Sequence, residues 1–231
     1  MDTGDGIVTL DAIAFEVDER DALTAMGMDA QAPFASEALG LLRDALPIAR
    51  PKGVYKFATV DPVDDRTVAL DGVRFSSRVL RVNLEGRRRA FPFVATCGAE
   101  LEAWSRAHTR DPMHQFWADA IKELALRCAI EALGKHLVER FRPGERAMMN
   151  PGSLEDWPLS EQPRLFSLFG DHIEKIGVRL TESLLMMPVK SVSGVWFETE
   201  SGFVNCQLCP RADCPNRRAA FDPHAFGRDY G

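Results

Sequence analysis

Val68-Ala-Leu70-Asp71-Gly72-Val73-Arg-Phe75 is the stretch on which the fold class turns. Two short β-favouring runs flank Asp-Gly, the dipeptide that best tolerates the positive φ angles of a two-residue hairpin turn. The strand period extends to either side. It runs from Tyr55 to Phe93, with Val79 to Leu84 alternating before Glu85-Gly86, and Ala90 to Thr96 reads as a buried strand closing at Cys97-Gly98. A meander of antiparallel strands accounts for this region. Ahead of it, Ile13 to Met28 mixes strand and helix character up to the Gly27 breaker. Ser36 reads as the N-cap of a helix carrying Leu39, Leu41, Leu42, Leu46 and Ile48, which stops before Pro51.

The second half is helical first. Ala99 to His108 predicts a short helix and Met113 to Phe141 a long one, ended by Pro143-Gly144. The long helix is apolar on most sides, which places it inside the fold. Glu131 interrupts that apolar stretch. A buried carboxylate is costly unless paired, so Glu131 either bridges to Arg127 or Lys135 or contacts a ligand. An irregular segment from Arg146 to Trp157 leads into a helix from Ser160 to Ile176. A strand pair, Val178 to Met186 and Val192 to Phe197, closes the series. Strands, then helices, then strands give an α+β domain with a central antiparallel sheet flanked by helices, over residues 1–203, with a cysteine-rich tail at 204–231.

A length of 231 residues, 45% hydrophobic and 27% charged, is that of an ordinary globular chain with one sizeable core. Net charge is −6, and the only basic patches are Arg87-Arg88-Arg89 and Arg217-Arg218, which argues against nucleic acid as a partner. No apolar run reaches membrane-spanning length and the acidic N-terminus lacks a signal peptide's basic start, so the expectation is a cytoplasmic protein with reduced thiols.

In the tail, Cys206-Gln-Leu-Cys209-Pro-Arg-Ala-Asp-Cys214-Pro places three of the five cysteines within nine residues. Soft thiolates at this C-x2-C-x4-C spacing predict a metal centre on Cys206, Cys209 and Cys214. An iron–sulfur cluster, completed by Cys97, Cys128 or an exogenous ligand, is the leading reading. A structural zinc with Cys97 or His224 as fourth ligand is the alternative. A redox pair of Cys206 and Cys209 would need only C-x-x-C and a lowered thiol pKa, and free thiols without a bound species complete the set. Cys97 and Cys128 read individually as small core residues. No H-E-x-x-H, G-x-S-x-G or phosphate-loop motif occurs. Trp157, Trp196 and Met186-Met187 read as core or groove-lining residues.

The run Arg179-Leu-Thr-Glu182-Ser183-Leu-Leu-Met-Met-Pro188-Val-Lys190-Ser191-Val192-Ser193-Gly194-Val-Trp-Phe197 resembles the activation domain of cobalamin-dependent methionine synthase. Asn150-Pro-Gly-Ser through Asp156-Trp-Pro-Leu159-Ser-Glu-Gln162 is similar to stand-alone relatives of that domain. Thr96-Cys97-Gly98 to Glu102 and the long helix with Glu131-Ala132 follow in the family's order. The resemblance covers about Val17 to Phe203. It implies a curved α+β domain that binds S-adenosylmethionine and supports reductive methylation of cob(II)alamin.

Carried over by residue, the resemblance makes Glu131 the helix carboxylate that contacts S-adenosylmethionine. Asn150, Pro151, Gly152 and Ser153 become its binding loop, and Phe203 matches a tyrosine of the family's final strand. The family's arginine four residues before the loop glycine is Met148 here, and the tyrosine after that glycine is Ser153. Arg146 would supply the missing charge from two residues earlier. These departures weight the expectation toward electron transfer over methyl donation.

The chain is therefore expected to be a stand-alone reactivation module. Its partner would be a corrinoid protein, or a methionine synthase lacking its own activation domain, that carries the cobalamin. Flavodoxin or ferredoxin would supply the electron, and the tail's iron–sulfur centre would relay it. A non-catalytic binder of a corrinoid partner or small ligand, with a structural zinc, and an S-adenosylmethionine-binding methyl-donor domain are the alternatives.

Overall fold

In the computed structural model, which describes residues 6–214 and 217–231, the Asp71-Gly72 turn forms as expected. Both residues take positive φ (47° and 82°) and join two strands in register from Leu70↔Val73 to Thr67↔Ser76. The turn is pinned from outside, since the Asp71 carboxylate accepts the Thr59 amide at 2.8 Å and ion-pairs with Lys56 at 2.9 Å.

In chain order the elements are β1 (Ile7–Leu10), α1 (Glu19–Ala25), α2 (Ala35–Ala45), β2 (Lys52–Lys56), β3 (Ala58–Pro62), β4 (Thr67–Leu70), β5 (Val73–Ser76), α3 (Arg78–Asn83) and β6 (Arg89–Thr96). There follow α4 (Ala99–Ser105), α5 (Pro112–Phe141), β7 (Arg146–Met149), α6 (Gln162–Ser167), α7 (His172–Lys175), β8 (Arg179–Leu180), β9 (Met186–Met187), β10 (Ser191–Glu198) and α8 (Ala225–Asp229). Eight strands form one sheet in which every pairing is antiparallel. β6 lies at its centre. It takes β10 along one edge and β2, then β3, along the other, while β7 pairs with the far side of β10. The α+β class with a central antiparallel sheet flanked by helices is borne out.

The strand period of two sorts side chains to opposite faces of this sheet. From β6, Phe91, Phe93 and Ala95 enter one core with Ala38 and Leu42 of α2, Leu101 of α4, and Trp117, Ile121, Leu133 and Leu137 of α5. Ala90 and Val94 enter the other core, with Val79 and Leu80 of α3, Leu165 of α6, Ile173 of α7 and Trp157. Phe203 and Tyr230 bury in this second core, and Leu208 and Cys209 pack against it, so these residues lie on the sheet face opposite the main body of α5.

Several sequence expectations change. Val79–Leu84 is not a strand: Ser77 caps α3 by accepting the Leu80 amide, and a single helical turn buries Val79 and Leu80 together. Ser36 is not a cap, because α2 already begins at Ala35, with Phe34 at the N-cap position. The helix over Ser160 to Ile176 is broken, with α6 and α7 separated at Gly170, where φ is +54°. Val178 to Met186 does not pair with Val192 to Phe197; β8 and β9 pair with each other, while β10 joins β6 and β7. Helix α5 covers one sheet face rather than being enclosed, leaving Met113, Phe116 and Val138 exposed.

Candidate functional site

Helix α5 and strand β7 build the candidate site. Asp111 starts α5 by accepting the Met113 and His114 amides at 2.8 and 3.1 Å, and Pro112 occupies the first turn, where its missing N–H costs nothing. Arg142, in a left-handed conformation, ends it. The chain then returns as β7, paired with β10 in the register Trp196↔Met148 and Glu198↔Arg146. On a strand, residues two apart share a face. Arg146 therefore points the same way as Met148, over α5, and donates to the Gly134 carbonyl at 3.4 Å.

Two hollows, of about 490 and 510 Å³, share Ile130, Val138, Arg146 and Trp196 in their walls and so form one continuous groove. Met148, Phe203 and Arg218 border one end, and Glu131, Gly134 and Lys135 the other. A further hollow of about 850 Å³ continues past Glu131 to Cys128 and the extended segment from Thr9 to Glu16. Trp196 is stacked flat on Phe93, with ring centroids 3.7 Å apart, which fixes the groove's floor.

Among the described residues Arg146 makes no ion pair, and burial lowers its pKa. Glu131 is exposed, which corrects the expectation of a buried carboxylate, and it bridges neither Arg127 nor Lys135. Arg127 is instead 4.0 Å from Glu123. An always-charged planar fork with no carboxylate of its own, beside an apolar wall and a free carboxylate, suits a zwitterionic ligand with an apolar body.

The structure thus gathers Glu131, Arg146 and Phe203 around one groove, but Asn150, Pro151, Gly152 and Ser153 are not among the residues that line it. Those four form a tight loop. The Asn150 amide group donates to the Ser193 carbonyl at 2.7 Å, and the Gly152 amide donates to Trp157 O at 2.8 Å. Gly152 has φ of +83°, and a Cβ there would meet Leu159 at 3.3 Å, so backbone geometry accounts for that glycine. Asp156, in the same loop, reaches back to cap α3. Arg218 is a lining residue that sequence reasoning left unassigned, whereas Trp196, read as a core or groove-lining residue, does line the groove.

Among the described residues no three His, Cys, Asp or Glu side chains gather closely enough to hold a metal ion, so the set Cys206, Cys209 and Cys214 is not assembled. The Arg217 guanidinium occupies the loop instead, donating to the carbonyls of Cys206, Cys209 and Ala219, each at 3.2 Å, and to that of Arg211. Cys97 belongs to the core on the α5 face, whereas Cys209 packs against the opposite core, which removes Cys97 as a fourth ligand. Burial pushes the Cys97 thiol up to about 12. Burial, with help from Glu131, also raises Cys128. Cys206 is the exception: its slight burial acts upward, but the Arg218 and Ala219 amides and the Arg218 charge outweigh it and lower its pKa.

Residues 149–211 match the family model described as vitamin B12 dependent methionine synthase, activation domain. The fold is similar to that in a crystal structure of the MetH reactivation domain bound to AdoHcy, with a TM-score of 0.60 and 17% identity, over 84% of this chain and 78% of that one. No curated protein matches the chain. Among the described residues, no helix is long and apolar enough to cross a membrane.

Proposed function

We propose that this activation-domain-like chain, which carries that family's segment at residues 149–211 on a reactivation-domain fold, is a corrinoid-reactivation module that acts on cobalamin held by a partner. Its ligand is S-adenosylmethionine, which supplies a methyl group when bound. The groove between α5 and β7 is the binding site. The observation that carries this reading is Arg146: a guanidinium with no ion-pair partner among the described residues, set beside Trp196 and the Glu131 carboxylate in one groove. Arg146 would take the ligand's carboxylate in a bidentate pair, and Glu131 its ammonium group. The apolar wall of Ile130, Val138 and Trp196 would exclude water from the rest. The partner is a corrinoid protein, or a methionine synthase without its own activation domain, with flavodoxin or ferredoxin as electron donor.

Calorimetric titration with S-adenosylmethionine and S-adenosylhomocysteine tests the site. Binding by the wild-type chain, weakened about tenfold or more in Arg146→Ala and in Glu131→Gln, is expected, because a hydrogen bond to a charged group contributes about 1.5–3 kcal/mol. Absence of binding by the wild-type chain would overturn the assignment. Reactivation is tested separately, by following the cob(II)alamin absorbance of a corrinoid partner with and without the chain.

A metal centre in the tail is a separate matter from this groove. Analysis of anaerobically prepared chain for iron, zinc and acid-labile sulfide decides it.

A further inference from the structure

We propose that Cys206 and Cys209 are a redox-active dithiol, closing to a disulfide and reopening by exchange with low-molecular-weight disulfides and thiols, with Cys206 as the attacking sulfur. The inference rests on the geometry of the tail, which meets the ligand groove at Val204 and Arg218, and not on ligand binding.

Residues Asn205–Gln207 form a single 3-10 turn, and the Cys209 amide donates to the Cys206 carbonyl at 3.3 Å. A turn closed in this i→i+3 fashion holds its end Cα atoms within about 7 Å, which overlaps the window of roughly 4.4–6.8 Å that a disulfide requires. The backbone is also held in place. One terminal nitrogen of Arg217 donates to the Cys206 carbonyl and the other to the Cys209 carbonyl, both at 3.2 Å. Both cysteine backbones are therefore held by one rigid planar group, at the Cα separation that the turn sets. Cys214 is held differently: its carbonyl accepts the Arg217 backbone amide at 3.1 Å, beyond the turn.

The two sulfurs are not equivalent. The Arg218 amide donates to Cys206 Sγ at 3.4 Å, a contact that favours an anionic sulfur there. Cys209 packs against the core beneath the tail. Cys206 is thus placed to attack and Cys209 to resolve. In the forward direction the Cys206 thiolate attacks one sulfur of a small disulfide RSSR, forming Cys206–S–S–R and releasing RS⁻, which takes up the proton lost by Cys206. The Cys209 thiol then gives up its proton and displaces the second RS⁻, which leaves as RSH. The net change is two cysteine thiols plus RSSR giving the Cys206–Cys209 disulfide plus two RSH, and the two electrons reside in the released thiols.

The test uses the full chain, prepared anaerobically, equilibrated in glutathione buffers of increasing oxidised fraction, and alkylated before tryptic mass mapping. Cleavage after Lys190 and Arg211 leaves Cys206 and Cys209 on one peptide and Cys214 on the next. The expected product is the 191–211 peptide lighter by the mass of two hydrogens, with Cys214 alkylated. In the Cys209→Ser, Cys214→Ser double variant, Cys206 should trap glutathione as a stable mixed disulfide. In Cys206→Ser, Cys209 should stay alkylatable. Three outcomes overturn the proposal: thiols that stay free in oxidised buffer, a bridge that links the 191–211 peptide to the Cys214 peptide, or stoichiometric iron or zinc that is lost in Cys206→Ser.

Discussion

Asp156 closes on Ser77 across the second core: its carboxylate accepts the Ser77 hydroxyl at 2.5 Å and the amides of Arg78 and Val79 at 3.2 and 2.9 Å. The loop that follows β7 therefore supplies the N-terminal cap of α3 from far along the chain. Asp156→Ala leaves these donors without an acceptor and should destabilise the fold by about 2–3 kcal/mol. In urea, a lower midpoint at unchanged slope is expected. An unmoved midpoint would show that solvent replaces the carboxylate at no cost.

Gly194 sits where β10 meets β7. A Cβ there would lie 2.5 Å from both Asn150 Nδ2 and Met149 O and 3.0 Å from the Phe93 ring. Gly194→Ala must therefore push β7 away from β10 or displace the Asn150 side chain, at a cost of about 1–3 kcal/mol. Because β7 carries Arg146, ligand affinity should fall together with stability. A variant that binds normally while melting early would separate the loop from the groove.

Burial keeps the Cys97 thiol neutral, with its folded pKa raised from the ordinary thiol value to about 12. The sign is that of an acid whose neutral form is favoured by folding. Its contribution is complete below the unfolded thiol pKa and is lost as pH climbs from there toward 12. Wild-type stability should therefore fall more steeply with alkaline pH than that of Cys97→Ala. Iodoacetamide at mildly alkaline pH should label Cys206, whose pKa is lowered, well before Cys97. Equal labelling rates in the native chain would contradict both assignments.

Arg217 holds the tail through backbone carbonyls alone. Arg217→Ala should release this loop, so that trypsin cuts after Arg211 and Arg218 much faster while the sheet domain resists. Arg217→Lys should restore little, since one ammonium group cannot span the same carbonyls. Unchanged cleavage rates would mean that Tyr230 and its hydrogen bonds to Arg78 and Asn83 anchor the tail unaided.

Local signals in the sequence carried much of the fold. The Asp71-Gly72 hairpin and the long α5 are read from nearest neighbours, and both formed. Val79–Leu84 misled, because Leu80, Val82 and Leu84 alternate like a strand, while the Ser77 cap that starts a helix there is held in turn by Asp156, a long-range partner that no local pattern reveals. Gly170 divided a predicted helix because its positive φ is a tertiary outcome. For the site, the sequence offers Arg146 in place of the arginine missing at Met148 because it lies two residues earlier, but the segment reads as irregular, and that it is a strand, which puts Arg146 and Met148 on one face, emerges only in the structure. The exposure of Glu131 was not legible, since an apolar helix that lies on a sheet and one enclosed by a sheet have the same composition. Nor was Arg217, whose partners are backbone oxygens and leave no residue signature.

The sheet that separates the two cores is also an optical partition. Trp157 alone lies in the core beneath α3 and α6, while Trp117 and Trp196 are buried on the α5 face, where Trp104 packs against the same core. Among the described residues the buried ring nitrogens of Trp157 and Trp117 have no acceptor, so both indoles sit in apolar surroundings on their own side of the sheet. A chain retaining only Trp157 would glow from one half of the molecule, and its quenching during unfolding could be timed against that of the other three indoles.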